Sequence, residues 1–560
     1  MRSFVDWDLG RPGRWRWLAP VLWLAGACQT SSSTPSGTPD APSQPGSAAA
    51  PDTLRLLEQA TFGPTEELAA QVQAQGIEAY VDDQLATSAT SLGTYPVVLQ
   101  GAGQFCGAGA PPGCNRDNFT AFPVAVQFFK NALTAPDQLR QRVAFALGQI
   151  LVVSGAEVRS TYGIAAYQEL LLADAFGNFR TLIEDVTRSP AMGRYLDMVN
   201  NDKPSPEKGT HPNENYAREL MQLFTIGLVK LEADGSVVAD ENGEPVATYD
   251  QAVVSDMARV FTGWTYPTIP GLAGKAHNPP YYLGPMQPIA ANHDTGAKTI
   301  LDGVVLPAGQ TSEKDLADAL DAIFQHPNVG PFIGRQLIQH LVTSNPSPAY
   351  VARISAVFAD DGHGVRGNLA AMVRAILLDP EARGDARTDP AYGKLREPAL
   401  LVAGLARALG AASDGVYLRA SSAALEEDVY QPPSVFSFYP PDSALPGSTL
   451  VSPPSQLFDS TTALARPNFV YTLLYTGAAA DPTVIGSTGT SVSLAALAGD
   501  AGDPDRLVAR LDALLTHGTL SADVKQAIAA AVTGLPVDPF PRVRMAAYLI
   551  GTSPQYQVER

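Results

Sequence analysis

Helical periodicity is the feature that most limits what this chain can fold into. Apolar residues recur every three to four positions in runs of about 10 to 16 residues, and Gly or Pro separates the runs. The run QLRQRVAFALGQILVV is apolar enough for a central buried helix, but it is too short and too charged to cross a membrane. A chain of 560 residues can also bury a large core. The sequence therefore predicts a mainly α fold built as a large helical body.

A small β-hairpin insertion and long ordered loops interrupt the helical pattern. Asp234-Gly235 and Asn242-Gly243 are hairpin turn signals between short β-favourable runs. Oxygen donors here could also bind calcium, although their order is not that of an EF-hand and turn chemistry accounts for them: Asp234, Asp240, Asn242 and Glu244. Thr248 and Gln251 predict a capped helix start for residues 250–261. The Pro-rich connection that follows is expected to lie over the body.

The N-terminus has the pattern of an export signal. Positive charges precede an apolar run from Trp17 to Ala27, which is too short to span a bilayer, so residues 1–27 are predicted to be a signal peptide. The run ends in LAGAC, which resembles a bacterial lipobox and makes Cys28 the predicted site of lipidation. The alternative is an ordinary signal peptide that is cleaved nearby. Residues 28–51 then form a Ser/Thr/Pro/Gly-rich tether that cannot bury enough apolar surface to fold.

Two further cysteines, Cys106 and Cys114, close a short Gly/Pro-rich loop. In an exported protein such a pair predicts a disulfide. The alternative, a two-cysteine metal site, lacks nearby histidines.

The segment His211 to Gly227, HPNENYARELMQLFTIG, concentrates polar chemistry beside an apolar helical stripe. One interpretation has His211, Glu214 and Glu219 converge on a metal or substrate, with Arg218 as a further catalytic candidate. The other interpretation is architectural. In that case Glu214 complements the helix dipole and pairs with Arg218, and Glu219 forms a buried ion pair with another helix.

His293-Asp294 is the second chemical candidate. Both side chains could join the first group as metal ligands, or Asp294 could simply cap a turn at Gly296. Three other histidines lie at helix ends and faces and are interpreted as structural: His326, His340 and His363.

The negative net charge argues against nucleic acid as a partner. The formal charge is −18, and no basic stripe with interleaved aromatic residues is present, so we expect no binding to nucleic acid. Membrane contact is expected through the lipid anchor only. Sequence motifs for haem c attachment, zincins, nucleophile elbows, phosphate loops and dinucleotide turns do not occur.

Nine sequence blocks together resemble the bacterial DUF1800 family over residues 53–560. They are RLLEQATFGPT, PDQLRQRVAFALGQILVVS, HPNENYARELMQLFTIG, ARVFTGWTY, NHDTGAKTILDG, GRQLIQHLVTSNPSP, KLREPALLVAGLARAL, YQPPSVFSFYPPD and AAYLIGTSPQYQVER. The resemblance implies a largely helical, exported protein of unknown biochemical function. It also implies a partner, because the genes of this family often neighbour those of the sulfatase-like exported DUF1501 family. It assigns no catalytic residue.

Two functions remain open. The tether, the acidic surface and the aromatic-rich loops favour a cell-envelope lipoprotein that binds or scaffolds a polymer or protein partner. The alternative is a helical metal-assisted hydrolase or oxidoreductase, which would use a divalent transition metal rather than calcium. In either case the predicted body covers residues 52–476, and residues 477–560 form the C-terminal helical part of the same unit.

Overall fold

The structure is a computed structural model that describes residues 51–99, 106–107, 109–207, 209–389 and 391–560. The predicted signal peptide, Cys28 and the tether up to residue 50 lie outside the described residues. From residue 51 onward, the described chain belongs to one compact unit.

Helices dominate the described residues, which confirms the mainly α prediction. The first half contains α1 (Pro51–Ala60), α2 (Glu66–Gln75), α3 (Ile77–Ala86), α4 (Cys114–Phe119), α5 (Phe122–Thr134), α6 (Gln138–Ile150), α7 (Gly155–Val158), α8 (Thr161–Asp174), α9 (Phe179–Arg188), α10 (Pro190–Tyr195), α11 (Asn215–Gln222) and α12 (Gln251–Val260). The second half contains α13 (Ser312–Gln325), α14 (Val329–Leu341), α15 (Pro348–Ala359), α16 (Leu369–Leu378), α17 (Pro380–Arg383), α18 (Pro398–Ala408), α19 (Val416–Ala424), α20 (Ser460–Tyr471), α21 (Ala495–Ala498), α22 (Pro504–Thr516), α23 (Ala522–Thr533), α24 (Pro539–Gly551) and α25 (Pro554–Gln557).

Strands in the described part of the chain are short and form two-stranded antiparallel ladders. The pairs are β1 (Trp264–Thr265) with β2 (Gln287–Pro288), β3 (Lys298–Thr299) with β4 (Val305–Leu306), β5 (Lys394–Leu395) with β8 (Val558–Glu559), and β6 (Ala412–Ser413) with β7 (Thr490–Ser491). The β5–β8 ladder returns the C-terminal segment to the middle of the chain.

The hairpin insertion forms where it is predicted. Antiparallel bridges join Val229 to Ala247 and Leu231 to Val237. Gly235 and Gly243 turn the chain with φ of +79° and +82°, a left-handed conformation that glycine adopts without steric cost. The carboxylates of the neighbouring aspartates accept backbone hydrogen bonds inside these turns.

Helix α6 lies at the centre of the body and packs against α3, α8 and α14. It is buried on nearly every side, and the buried residues include Arg142 and Gln149 as well as its apolar side chains. The Pro-rich connection after α12 is ordered over the body, as predicted, because Trp264, Tyr266 and Tyr282 are all buried. No helix in the described ranges is long and apolar enough to span a bilayer.

The predicted disulfide is present between Cys106 and Cys114, with an S–S distance of 1.98 Å. Cys114 is the first residue of α4, so the bridge holds the start of that helix to the preceding loop.

Candidate functional site

The segment His211 to Gly227 contains α11, and its apolar stripe is buried as predicted. Tyr216, Leu220 and Phe224 are buried, and Gly227 ends the segment with φ +74°. His211 lies before the helix and is exposed on the wall of an open polar crevice. That crevice is also lined by Asn213 and Asn292, so the two predicted motifs do approach each other there.

Glu214 lies at the start of α11 and is half-buried. Its carboxylate accepts hydrogen bonds from Arg218 Nη2 at 2.9 Å, Gln251 Nε2 at 3.0 Å and Ser255 Oγ at 2.9 Å. Burial alone would raise the pKa of Glu214, but the hydrogen bonds from Gln251 and Ser255 and the charge of Arg218 outweigh burial and lower it. The Glu214–Arg218 contact is the helix pair of the architectural interpretation.

Glu219 lies on the same helix but, unlike Glu214, has few hydrogen-bond donors around its carboxylate. Its Oε2 atom is buried and has no hydrogen-bond partner. Burial raises the pKa of Glu219 to about 7, and the charge of Arg218 offsets only part of that effect.

His293 and Asp294 belong to a buried structural network. His293 Nδ1 lies 3.0 Å from the carbonyl oxygen of Thr262, and its Nε2 lies 3.1 Å from Asp315 Oδ2. Lys298 Nζ reaches the same Asp315 oxygen at 2.6 Å. These contacts occupy both imidazole nitrogens of His293.

Asp294 makes a two-pronged ion pair with Arg259, at 2.7 and 3.1 Å. It also accepts the Gly296 amide at 2.8 Å, which is the turn cap that the sequence allowed. Across the described ranges, no three His, Cys, Asp or Glu side chains are grouped so that they could hold a metal ion. The five predicted ligands are therefore not brought together as one ligand set: His211, Glu214, Glu219, His293 and Asp294.

A cavity elsewhere in the body brings together several buried polar side chains. Helices α6 and α14, strand β5, the start of α18 and the loop after α19 surround it. It has about 60 Å³ of space open to the centre of a water molecule. Its polar lining includes Gln149, Gln336, His340, Lys394, Glu397, Ser437 and Tyr439.

Glu397 is the centre of the polar network around this cavity. It occupies the N-cap position of α18, where the helix dipole favours a negative charge. Its Oε2 accepts hydrogen bonds from the Tyr439 hydroxyl and from Gln149 Nε2, the latter at 3.2 Å. Arg142 Nη1 lies 3.9 Å from its Oε1 and supplies the opposite charge. Burial opposes ionisation of Glu397, but the charges of Lys394, Arg142 and their neighbours lower its pKa.

Glu427 lies beside Glu397 and has the opposite protonation behaviour. Burial and the charge of Glu397 raise the pKa of Glu427 well above its ordinary value. Glu427 Oε2 accepts a hydrogen bond from the backbone amide of Ala399 at 2.7 Å. The Oε1 atoms of Glu397 and Glu427 are both buried without a hydrogen-bond donor when both carboxyls are ionised. A proton on Glu427 shared with Glu397 satisfies both oxygens. Two carboxyls with pKa values pushed apart can act as acid and base, but Glu427 does not line the cavity, so a ligand would meet Glu397.

His340 lines the cavity as a neutral imidazole. Burial is the main cause that lowers its pKa to about 4, and the charges of Lys394 and Arg142 add to the effect. Its position on α14 places it on the cavity wall, and the structural role expected from sequence stays a prediction.

Three polar atoms on the cavity wall have no hydrogen-bond partner in the protein. Gln149 Oε1, Gln336 Nε2 and Ser437 Oγ are all buried without a hydrogen-bond partner, and all three residues line the cavity. Buried polar atoms are almost always hydrogen-bonded in native proteins. The amide orientation of Gln149 is fixed because its nitrogen must face the acceptor Glu397. Ser437 adopts φ +60°, a strained conformation of the kind that collects at functional sites.

An apolar groove of about 340 Å³ adjoins the cavity. The two share the side chains of Leu223, Phe332, Gln336 and Phe436. The groove continues along Ile226, Leu228 and Val237, at the base of the hairpin insertion. The groove and the cavity therefore share part of their walls.

Comparison with known proteins identifies the family. A family model described as "Protein of unknown function (DUF1800)" matches residues 55–558. The chain belongs to the DUF1800 family. No curated protein and no solved structure matches this DUF1800 chain.

The cavity of this DUF1800 protein draws on five of the sequence blocks that carry the family resemblance. They supply Gln149, Leu223, the α14 residues Gln336 and His340, the pair Lys394 and Glu397, and the pair Ser437 and Tyr439. Sequence reasoning missed these residues. The available signal was charged and amide side chains inside strongly apolar helical runs, such as Arg142 and Gln149 in α6.

Proposed function

We propose that this DUF1800 protein is an exported, lipid-anchored protein of the cell envelope that binds a ligand in the cavity and its adjoining groove. Three buried polar atoms without partners, on Gln149, Gln336 and Ser437, carry the proposal. Leaving such atoms unpaired costs about 1–3 kcal/mol each. A ligand that pairs with them recovers this energy.

The shape of the site supports binding of this kind. Ligand sites in proteins are concave and mostly apolar, with a few convergent polar groups that fix orientation. The apolar groove and the cavity, with its few polar side chains, match that description, and they are built from elements far apart in the chain. These features support assigning the binding role expected from sequence to this pocket.

The test is to purify the full chain from its own membranes in mild detergent and to record native mass spectra. We expect a bound mass on the wild-type protein that is lost from the Gln149→Leu/Gln336→Leu double variant. Gln71→Leu is the matched control, because it replaces a Gln side chain by Leu in the same way, but at an exposed position of α2. Equal bound mass in the wild type and a folded double variant would contradict the proposal.

The anchor rests on the lipobox resemblance at Cys28. Cys28→Ser should move the protein from the membrane fraction to the soluble fraction. A variant that stays in the membrane fraction would rule out lipidation at Cys28 as the anchor. The expected partner, an exported DUF1501-family protein, and the alternative of metal-assisted chemistry both stay predictions.

A further inference from the structure

We infer that the ligand is an amphiphile, with an uncharged hydrogen-bonding head in the cavity and an apolar chain along the groove. The inference rests on the proposed function and deepens it by naming the ligand class. Three properties of the site lead to it: the lining of the groove, the charge state of the cavity wall and the unpartnered atoms.

The groove selects an apolar chain. Its walls present Ile226, Leu228, Val237 and Phe436, and the last three of these remain 55%, 49% and 40% exposed. Large side chains of this kind, gathered along one groove, mark an interaction site. Burying apolar surface against them stabilises a complex by roughly 25 cal/mol per Å².

The cavity selects an uncharged head. Its lining contains two charged side chains, and each already has a buried counter-ion. Glu397 faces Arg142, and Lys394 Nζ lies 3.1 Å from Glu559 Oε2. A charged head would enter without a free partner, and an uncompensated buried charge is strongly unfavourable.

The unpartnered atoms define what the head must offer. Gln149 Oε1 requires a donor, Gln336 Nε2 requires an acceptor, and Ser437 Oγ can serve as either. A primary amide supplies a donor and an acceptor in one small group. With about 60 Å³ open to water centres, the cavity accepts a few heavy atoms and not the body of a folded partner or a wide polymer.

The experiment measures binding of three probes with the same chain by calorimetry: octanamide, octanoate and octylammonium. The full wild-type protein, freed of bound lipid, should bind octanamide at least tenfold more tightly than either charged probe. Equal or tighter binding of octanoate or octylammonium would overturn the uncharged head.

Two variants locate the probe. Gln336→Leu should weaken octanamide binding about tenfold or more, because the buried donor that it meets is removed. Val237→Asp should weaken octanamide binding by placing a charge in the groove, while Val365→Asp, at an exposed valine outside the groove, should not. Octanamide binding that neither Gln336→Leu nor Val237→Asp changes would overturn the assignment.

Failure of this inference is distinguishable from failure of the proposed function. If no octyl probe binds, yet the native mass spectra show a bound mass that depends on Gln149 and Gln336, the site is real and the amphiphile class is wrong. If the bound mass is also absent, both are wrong.

Discussion

Glu214 and Glu219 lie on one helix and have pKa values displaced in opposite directions. Glu214 is surrounded by donors, whereas one oxygen of Glu219 is buried without any partner. Side chains five residues apart on an α-helix diverge by about 140°, so they enter different environments. Sequence places both beside the apolar stripe, but the tertiary neighbours decide the protonation state of each.

Glu219→Gln should therefore change how stability depends on pH. The folded pKa of Glu219, about 7, is above the unfolded value of about 4.3. Its contribution is fully present below the unfolded pKa and is lost as pH rises through the folded pKa, on the order of 1–3 kcal/mol in total. Urea unfolding should show that the variant gains stability over the wild type between pH 5 and pH 8.

Glu214→Gln is the matched control. The pKa of Glu214 is lowered, so its contribution is present above the unfolded pKa and is lost on acidification. This variant should be less stable than the wild type at pH 8. Parallel pH profiles for the wild type and Glu219→Gln would contradict the assignment of a raised pKa to Glu219.

The neighbouring carboxyls of Glu397 and Glu427 should respond unequally to the same substitution. Glu397→Gln leaves Arg142 buried without its counter-ion, and breaking a buried pair costs about 3–5 kcal/mol. Glu427→Gln replaces a carboxyl that is already protonated, so its cost should be below about 1 kcal/mol. Free energies of unfolding in urea at pH 7 give the comparison. A larger cost for Glu427→Gln would place the ionised carboxylate on Glu427 instead.

At the scale of elements, Asn328 joins the hairpin insertion to helix α14. Its Nδ2 donates to the carbonyl oxygens of Ile226 and Val229, both at 2.8 Å, and its Oδ1 accepts the Leu231 amide at 3.0 Å. One side chain thus positions the hairpin wall of the groove against the helix that carries Gln336.

Asn328→Ala should loosen that wall without unfolding the body. Three hydrogen bonds are lost, and hydrogen exchange should become faster across residues 228–248 by about 10-fold or more. Helices α22 and α23, which lie in another part of the fold, should keep their protection. Asn345→Ala is the control, because Asn345 makes similar bonds to a different loop at Val451. Unchanged exchange in the hairpin would show that other contacts hold it.

The start of helix α12 shows that the local sequence predicted the helix but not the residue that caps it. The helix predicted for residues 250–261 forms as Gln251–Val260, but its cap is Asp250, whose carboxylate accepts the Val253 amide. The prediction of Thr248 as the cap is wrong. Its hydroxyl donates instead to the carbonyl oxygen of Gly227 at 2.5 Å, a tertiary bond that the local pattern does not show.

At the scale of the molecule, the C-terminal segment is tied to the centre through Glu559. Its carboxylate lies 3.1 Å from Lys394 Nζ and 3.5 Å from Arg396 Nε, and strand β8 pairs with β5. Strand β7 likewise connects residues 490–491 to β6. These contacts couple the C-terminal helices to the cavity region.

Residues 51–560 should accordingly unfold in one calorimetric transition. Glu559→Ala leaves two buried cations without this counter-ion and should cost about 3–5 kcal/mol in free energy of unfolding, with a lower Tm. Glu66→Ala removes an exposed ion pair with Arg510 and should cost at most about 1 kcal/mol. Two separate transitions in the wild type would show that the C-terminal helices fold independently.

The sequence by itself determined the helical class, the hairpin turns, the disulfide and the family. Each of these depends on short-range patterns: apolar period, Asp-Gly or Asn-Gly turns, and the spacing of Cys106 and Cys114. It also identified His211 and His293 as polar residues within family motifs, which the structure places in a crevice and in a buried network.

Only the tertiary structure decided where a ligand could bind. Gln149, Gln336, Glu397 and Ser437 are far apart in the chain, each in a different sequence block of the family. Their chemistry arises from burial, which leaves some polar atoms unpaired and separates the pKa values of adjacent carboxyls. Burial is a property of the packed body as a whole, and for that reason the local sequence does not encode it.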